Sequence, residues 1–554
     1  MKTSAFLAGL LAASASRSLA LQIPVQRRAD SGKGVSMSRA GTALLNGQNV
    51  LYETTVTVAG QDFNVQLDTG SSDFWIFKDA GVEATDIGPV NLTYGTGNAV
   101  GNVSFAPFSL GNYKVESQAF INNADYTKQF KDLMSDLGSF GILGISFDSI
   151  SSIDQNVILA TNDTIRGRSP LSNIFASNPS VPNTVSILLS RTDDQEETAG
   201  GSFLIGEEAE GYENVLKAPQ LPRFTPAGRP GIWTVWLDGA TLNGTFLSFK
   251  SILKDAPKGK TLTLLDSGST AANVPSSLAK GLYGNIPGSF IDPSSRQYII
   301  PCLSASNLSL TFGGQEFPVH PLDLTQVQTS VADDGTNFTY CTGYYTPDDA
   351  TPDSVNNEGE EILLGDAFMR NVYSSFNYGN DSIVRFDNGS FKDVVSQNPY
   401  IQLLKLTDQD KAWAEFFDVR KQTLKTYPPE PSLDKVRQYL DADSSSGDGM
   451  SDGNGDDKNS DDSQNAAIQG GASSDDSDSS MSQLLDKLDK YSPIVIGLLA
   501  GNVIIGLLLC AIALATCIHR GASTKRVGPT YAPVRFKDGG SGEEVVYTTP
   551  KYSD

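Results

Sequence analysis

Two short segments of the sequence carry the same arrangement of residues that can do acid–base chemistry. LDTGSS at residues 67–72 returns as LDSGST at residues 265–270, and each segment follows an apolar run. In both, the aspartate is followed by a glycine that permits a tight turn and by a hydroxyl three residues on. If the two turns face each other, Asp68 and Asp266 cannot both ionise, so they share one proton. One carboxylate can then activate a water molecule while its protonated partner polarises a carbonyl group.

A second repeat follows the first in the same order. ILG at residues 142–144 and LLG at residues 363–365 each come after one of the aspartate segments. Two paired matches in one order indicate a duplicated structural unit. Short alternating runs separated by turn residues dominate this part of the chain and are typical of strands. We therefore predict an all-β, bilobal fold, with an N-terminal β lobe at 41–220, a C-terminal β lobe at 221–405 and an active site between them.

The composition argues against several kinds of partner and of chemistry. The chain has 41 Lys and Arg residues against 64 Asp and Glu residues, a net charge of −23, so we expect no nucleic acid partner. Its two histidines, His320 and His519, cannot build a histidine-rich metal site, and its four cysteines fit no zinc site. We expect no metal and no cofactor, and we expect His320 at the surface. The chemistry must then rest on carboxylates, hydroxyls and the backbone.

The aspartate segments and their glycine elements resemble the active-site motifs of the pepsin-like aspartic proteases, in particular of fungal, membrane-anchored members. The resemblance extends over about residues 45–400. It implies that Asp68 and Asp266 are the catalytic pair of an aspartic endopeptidase, which hydrolyses peptide bonds in proteins at acidic pH. It gives supporting roles in the active site to the neighbouring residues Thr69, Gly70, Ser71, Ser267, Gly268 and Ser269.

The resemblance also implies a flap over the cleft. Tyr94, Gly95 and Thr96 match the flap hairpin, whose tyrosine covers the substrate. Trp75 matches the residue that hydrogen-bonds this tyrosine. A substrate would therefore be held between the aspartate pair and the flap.

One disulfide and a substrate class follow from the same resemblance. Cys302 and Cys341 match the disulfide of the C-terminal lobe. The cleft of this fold takes an extended protein or peptide segment, with pockets for its side chains. Leu137, Phe140 and Ile142 are candidate wall residues and suggest apolar side chains beside the cut.

The two ends of the chain have the composition of targeting segments. Residues 1–20 have a charged start, a short apolar run and a small-residue cleavage site, which is typical of a signal peptide. Residues 21–40 are basic and lack apolar periodicity, so they are a candidate zymogen propeptide or a solvated linker. Residues 492–518 form an uncharged stretch that is longer than the roughly 20 residues needed to span a bilayer, and basic residues follow it. The pattern predicts one transmembrane helix at 491–518 and a cytosolic tail at 519–554.

Two further segments connect the lobes to the predicted membrane helix. Residues 406–440 have an apolar face and are predicted to be helical. Residues 441–490 hold 13 Asp against three Lys, with many Ser and Gly, and are predicted to be a disordered stalk.

Eight N-x-S/T sequons agree with passage through the secretory pathway. The candidate glycosylation sites are Asn91, Asn102, Asn162, Asn243, Asn307, Asn337, Asn380 and Asn388. We expect a monomeric, single-pass type I membrane glycoprotein of the cell surface or of an endosomal or vacuolar membrane, with its catalytic lobes outside the cytosol.

Two other hypotheses compete with this interpretation. A catalytically inactive pair of pepsin-like lobes would act as a binding or inhibitor module, but Asp68, Asp266 and Tyr94 are all present. A structural surface glycoprotein would explain the sequons and the stalk, but neither the repeated motif nor the flap.

Overall fold

The computed structural model describes residues 41–47, 49, 51–95, 97–191, 201–226, 231–352, 354–355, 359–379, 383–387, 390–394 and 398–445. The predicted signal peptide, propeptide, transmembrane helix and tail lie outside these ranges, as do most of the predicted stalk, Thr96, Asn380 and Asn388. Within the described ranges, no helix combines the length and the apolar character needed to cross a membrane.

Strands dominate the described residues, as the all-β prediction requires, but several α-helices are present as well, so the fold is mostly β. The first half of the chain supplies β1 (Gly41–Gly47), β2 (Leu51–Val58), β3 (Gln61–Asp68), β4 (Phe74–Ile76), β5 (Val90–Tyr94), β6 (Gly97–Gly101), β7 (Val103–Leu110), β8 (Tyr113–Ile121), β9 (Gly141–Gly144), β10 (Thr184–Leu188), β11 (Gly201–Ile205) and β12 (Leu221–Pro222). The second half supplies β13 (Thr234–Leu242), β14 (Thr245–Leu247), β15 (Thr261–Leu265), β16 (Ala272–Val274), β17 (Phe290–Ile291), β18 (Tyr298–Ile300), β19 (Leu308–Phe312), β20 (Gln315–Val319), β21 (Thr325–Val331), β22 (Asn337–Gly343), β23 (Tyr345–Pro347), β24 (Ile362–Leu364), β25 (Val372–Asn377), β26 (Ile383–Asp387), β27 (Ser390–Val394) and β28 (Tyr400–Lys405).

The α-helices are mostly short and lie between or after the strands. They are α1 (Lys128–Leu137), α2 (Ser152–Thr161), α3 (Pro170–Ser177), α4 (Ser276–Ala279), α5 (Asp366–Met369), α6 (Gln409–Leu424) and α7 (Leu433–Ser445). Short 3-10 or π turns lie at Asp148–Ile150, Glu213–Lys217, Lys280–Gly284 and Pro321–Leu324.

Two large sheets carry the two aspartate segments. Asp68 ends a strand of a twelve-stranded sheet with the order β12-β28-β25-β10-β11-β1-β2-β3-β9-β4-β8-β7. Strands β25 and β28 reach this sheet from the second half of the chain, so both halves build it. Asp266 directly follows a strand of the sheet β20-β19-β13-β15-β24-β16-β23, in which β14 pairs with β13. A four-stranded sheet (β17-β18-β22-β21) and the hairpins β5–β6 and β26–β27 complete the described topology.

Strand β3 shows how the sequence directs an aspartate toward one face of a sheet. Its apolar residues Phe63, Val65 and Leu67 alternate with polar ones and are buried in the hydrophobic core. Because side chains alternate across a strand, Gln66 and Asp68 point to the opposite face. The core therefore fixes the register that presents Asp68.

The two C-terminal helices pack against the second half of the chain. On α6, Phe416 is fully buried, and the equally buried Arg420 donates to the Thr325 hydroxyl (3.0 Å) and carbonyl (3.2 Å). In the loop between the helices, Glu430 accepts a hydrogen bond from the Cys302 amide (2.8 Å). On α7, the fully buried Val436 belongs to a small core with residues of the four-stranded sheet. Residues 409–445 are thus part of the folded body.

The predicted disulfide is present beneath these helices. Cys302 and Cys341 are bonded and fully buried. A guanidinium nitrogen of Arg420 lies 3.6 Å from the Cys341 sulfur. The C-terminal helices therefore cover the only cross-link found among the described residues.

The expectation that His320 lies at the surface is wrong. Its side chain is 1 % exposed because α6 packs over it, with Nε2 lying 3.8 Å from a Glu415 carboxyl oxygen. Its Nδ1 accepts the Leu322 amide (3.1 Å). Burial, and then the nearby positive charge of Arg191, lower its pKa to about 4. His320 is thus a neutral structural residue at neutral pH.

Replacing Phe416 with alanine tests whether the C-terminal helices stabilise the body. We expect the free energy of unfolding to fall by about 3–5 kcal/mol, because a fully buried aromatic ring is removed. Chemical denaturation of the full chain in detergent measures this change. The matched variant Asp418→Ala, on the exposed side of the same helix, should stay within about 0.5 kcal/mol. Equal stability of Phe416→Ala and the parent would contradict the assignment.

Candidate active site

Each aspartate lies where a strand ends beside a parallel neighbour. Strand β3 runs parallel to β9, and Asp68 is the register partner of Gly144. Strand β15 runs parallel to β24, and the Asp266 amide donates to the Leu364 carbonyl (3.0 Å). The two glycine elements of the sequence are therefore the strands beside the two aspartates.

Reciprocal hydrogen bonds join the two turns. The Thr69 hydroxyl donates to the Leu265 carbonyl (2.8 Å), and the Ser267 hydroxyl donates to the Leu67 carbonyl (2.8 Å). Each hydroxyl also accepts the amide of the other residue, at 2.9 Å for the Ser267 amide and 3.1 Å for the Thr69 amide. Both side chains are fully buried. Four buried hydrogen bonds thus fix one turn against the other.

Each carboxyl group receives the same two donors from its own turn. The Gly70 amide donates to Asp68 Oδ1 (2.8 Å), and the Ser71 hydroxyl donates to Asp68 Oδ2. The equivalent bonds to Asp266 come from the Gly268 amide (2.8 Å) and the Ser269 hydroxyl (2.7 Å). The structure therefore brings together all eight active-site residues that the sequence singles out.

The two carboxyl groups lie against each other's turns. A Cβ atom added to Gly70 would lie 2.6 Å from Asp266 Oδ1, and one added to Gly268 would clash with the Asp68 carboxyl. Only glycine leaves room for this approach at both positions. Asp68 and Asp266 therefore lie face to face, as predicted.

Burial and the neighbouring carboxyl charge shift the pKa of Asp68 in the same direction. Burial raises the pKa of Asp68, and the neighbouring Asp266 carboxylate raises it further. The hydrogen bonds from Ser71 and Gly70 lower this pKa but do not reverse the shift. Asp68 therefore retains a proton where an ordinary aspartate has lost it, and the pair is held as a monoanion.

The predicted flap forms a hairpin of β5 and β6. Tyr94 ends β5, and Gly95 follows in the turn. Trp75 donates its indole N–H to the Tyr94 hydroxyl (2.8 Å). Trp75 is fully buried and stacks on Tyr126 with a centroid distance of 5.1 Å. The aromatic pair fixes the position of the hairpin tyrosine.

A further carboxyl behind the site has no assigned role from the sequence. Asp366 follows Gly365 and is fully buried, and neither of its carboxyl oxygens has a hydrogen-bond partner among the described residues. Burial raises its pKa well above the usual value, and Arg370 lowers it in part. The charges of Asp266 and Asp68 also raise it. The apolar run ILLGDAF was the available signal, because a carboxyl inside such a run is placed in the core.

The sequons differ in accessibility. Asn91, Asn162, Asn243 and Asn337 are exposed, and Asn102 and Asn307 are half-buried. The Asn102 amide nitrogen already donates to the Thr85 carbonyl (3.1 Å). Asn91 lies on the flap hairpin opposite Val100.

Comparison with known proteins identifies the class. Residues 82–386 match the family model of the eukaryotic aspartyl proteases; the match includes Asp266 and begins beyond Asp68. The chain therefore belongs to the pepsin-like aspartic proteases and is an aspartic-type endopeptidase.

The sequence similarity to individual relatives extends over most of the described residues. The chain is 28% identical over 364 residues to the vacuolar aspartic protease of Candida albicans, covering 61% of this chain and 76% of the relative. It is 26% identical over 355 residues to rhizopuspepsin-4 of Rhizopus niveus, covering 60% and 76%. It is 24% identical over 351 residues to pepsin A of Sus scrofa, covering 58% and 77%.

Removing the Ser71 hydroxyl should shift the pH profile. Because Ser71 stabilises the charged form of Asp68, Ser71→Ala should raise the pKa of Asp68 further. The alkaline limb of kcat/KM, which reports loss of the pair's last proton, should then move up by about one pH unit. Ser149→Ala, a buried serine outside the pair, is the control and should leave the limb in place. An unmoved or lowered alkaline limb in Ser71→Ala would contradict the role of this hydrogen bond.

Proposed function

We propose that Asp68 and Asp266 are the catalytic pair of a membrane-tethered aspartic endopeptidase that cuts proteins at acidic pH outside the cytosol. The observation that carries the catalytic assignment is the reciprocal Thr69–Ser267 hydrogen bonding, which holds two buried carboxyl groups side by side. Such a pair, lying between two sheets and facing a tyrosine hairpin, suits the hydrolysis of an extended peptide.

The raised pKa of Asp68 supports a division of labour between the carboxyl groups. Asp266, as the carboxylate, accepts a proton from a bound water molecule, whose oxygen attacks the carbon of the scissile carbonyl. Asp68 gives its proton to the carbonyl oxygen, which forms a neutral tetrahedral diol. Asp266 then gives the proton that it took from water to the amide nitrogen, while Asp68 accepts a proton from one hydroxyl of the diol. The C–N bond breaks, the carboxylic acid and the amine leave, and Asp68 is protonated and Asp266 charged as at the start. No covalent bond forms between the protein and the substrate.

A bell-shaped pH response follows from the same single-proton state, and the resemblance to the pepsin-like proteases suggests that it lies in the acidic range. The competent form exists only between the two ionisation steps of the pair, so activity should follow a bell-shaped pH profile. One relative, from Candida albicans, is named a vacuolar aspartic protease.

Exchange of either aspartate for asparagine tests the catalytic assignment. Asp68→Asn and Asp266→Asn should each lower kcat/KM of the full chain by at least about 10²–10⁴-fold, because general acid–base catalysis is lost. Cleavage of a fluorogenic peptide measures the rate, and unchanged thermal unfolding shows that the fold is intact. Asp62→Asn, an exposed carboxyl on the same strand, is the matched control and should retain activity. Substantial cleavage by either catalytic variant, or inhibition of the parent by a chelator, would argue against the mechanism.

The membrane arrangement is proposed from the sequence. An uncharged stretch at 491–518 followed by basic residues fits a type I helix, with the tail at 519–554 in the cytosol. A signal peptide at 1–20, a propeptide at 21–40 and a stalk at 441–490 complete the proposed chain, whose lobes at 41–220 and 221–405 act as a glycosylated monomer. The proposed station is the cell surface or an endosomal or vacuolar membrane.

Truncation tests the tether. Removal of residues 491–554 should release active enzyme into the medium, whereas removal of residues 519–554 alone should leave it in carbonate-washed membranes. Fractionation followed by a peptide-cleavage assay distinguishes the two results. Release of the full chain from membranes by carbonate would be evidence against a transmembrane helix. Retention in the membrane fraction of the protein that lacks residues 491–554 would be evidence against it as well.

A further inference from the structure

The two most exposed large apolar side chains among the described residues lie close together in the chain. Leu159 is 63 % exposed near the end of α2, and Ile165 is 60 % exposed in the loop that follows. All residues from 159 to 166 are exposed, whereas Gly167 is buried again. Apolar side chains grouped at a surface mark a place that a partner covers or a site of aggregation. Leu159 and Ile165 are therefore treated together, as the 159/165 patch.

Local contacts fix the conformation of the loop that carries this patch. Asp163 Oδ1 accepts the Ile165 amide (2.9 Å) and the Arg166 amide (3.2 Å). A Cβ atom added to Gly167 would lie 2.6 Å from an Asp154 carboxyl oxygen, so the loop returns tightly to α2. The 159/165 patch is thus part of a defined surface.

The glycosylation sequon Asn162-Asp163-Thr164 lies between the two apolar side chains. Asn162 follows α2 in a left-handed conformation (φ 59°) and is exposed, three residues after Leu159 and three before Ile165. Residues three apart along a helix are neighbours on its surface, with Cβ atoms about 5–6 Å apart. A sugar chain on Asn162 would therefore begin beside the patch.

The side-chain amide of Asn162 has no competing role. Its backbone N–H donates to the Ile158 carbonyl (2.7 Å), but no hydrogen bond in the described part of the chain involves its side chain. At the sequon of Asn102, by contrast, the amide nitrogen that would carry a sugar donates to the Thr85 carbonyl (3.1 Å). A sugar can thus occupy Asn162 without breaking a contact.

We propose that Asn162 carries an N-linked oligosaccharide whose first sugars pack on Leu159 and Ile165 and shield them from water. The inference rests on the passage through the secretory pathway that belongs to the proposed function, and it is independent of the catalytic assignment. Sugar rings present C–H groups as well as hydroxyls, so they can cover apolar side chains while their hydroxyls stay hydrated. Removal of this apolar surface from water is favourable.

The modification needs an oligosaccharide linked to a polyprenyl diphosphate as the donor. The bond between the sugar C1 atom and the diphosphate oxygen breaks, and the bond between C1 and Asn162 Nδ2 forms. Nδ2 loses one proton to a base of the transferring enzyme, and polyprenyl diphosphate leaves. The folded loop then holds the attached sugar next to the 159/165 patch.

Removal of the sequon by two routes tests the assignment on the full chain, produced in eukaryotic cells and held in lipid nanodiscs. Glycopeptide mass spectrometry should find the sugar on Asn162. Asn162→Gln and Thr164→Ala each prevent its attachment and should raise the rate of thermal aggregation at least about threefold, because the patch is uncovered. Adding Leu159→Gln and Ile165→Gln should remove most of this increase.

The matched control is Asn337→Gln. It removes an exposed sequon that has no exposed large apolar residue within four positions, so this variant should aggregate like the parent. Cleavage of a short peptide should be unchanged in all these variants, because none of the exchanged residues belongs to the site of Asp68 and Asp266.

The possible results separate this inference from the proposed function. A bare Asn162 beside occupied sequons elsewhere would overturn the inference alone, whereas eight bare sequons would also contradict the proposed secretory route. Unchanged aggregation after loss of the sugar, or an increase that persists after the two glutamine exchanges, would overturn the shielding role. Dimers of the glycosylated parent that Leu159→Gln dissociates would mean that a second copy covers the patch instead. If the sequon variants do not fold, the glutamine exchanges should restore folding, and their failure to do so would overturn the proposal.

Discussion

Two carboxyl groups in contact repel each other once both are charged, and the repulsion grows as water is removed. In this protein the four hydrogen bonds between Thr69 and Ser267 and their opposite turns hold the groups together against it. These bonds join strands of two different sheets, so the relative position of the sheets is set at the site itself. The shared proton is a consequence of this geometry.

A second tie between the halves of the chain lies away from the carboxyl pair. Asp323 is fully buried between Arg191 and Arg370, with nitrogen–oxygen distances of 2.6 Å to each. Burial alone would raise the pKa of Asp323, but the two guanidinium groups lower it well below its usual range. Arg191 belongs to the first half, and Asp323 and Arg370 belong to the second. A charged carboxyl is therefore stable here because cations surround it, in contrast to the pair in the cleft.

The sequence predicted those parts of the site that depend on local geometry. Asp68 and Asp266 with their glycines and hydroxyls could be identified because each group of donors lies within three residues of its carboxyl. The mostly β fold was predicted from the alternation of polar and apolar residues. The burial of His320 could not be predicted, because it depends on elements distant in sequence, such as Glu415 on α6. The contact of Gln66 with Gly268 joins the two sheets and likewise has no local signal.

The buried carboxyl groups of this protein differ in their donors more than in their burial. Asp68 has two donors from its own turn and a like charge beside it. The carboxyl oxygens of Asp366 are buried from solvent and receive no hydrogen bond from the described residues. With few donors a carboxyl stays neutral, so Asp366 adds little negative charge behind the cleft. The pair itself supplies negative charge at the site as a monoanion.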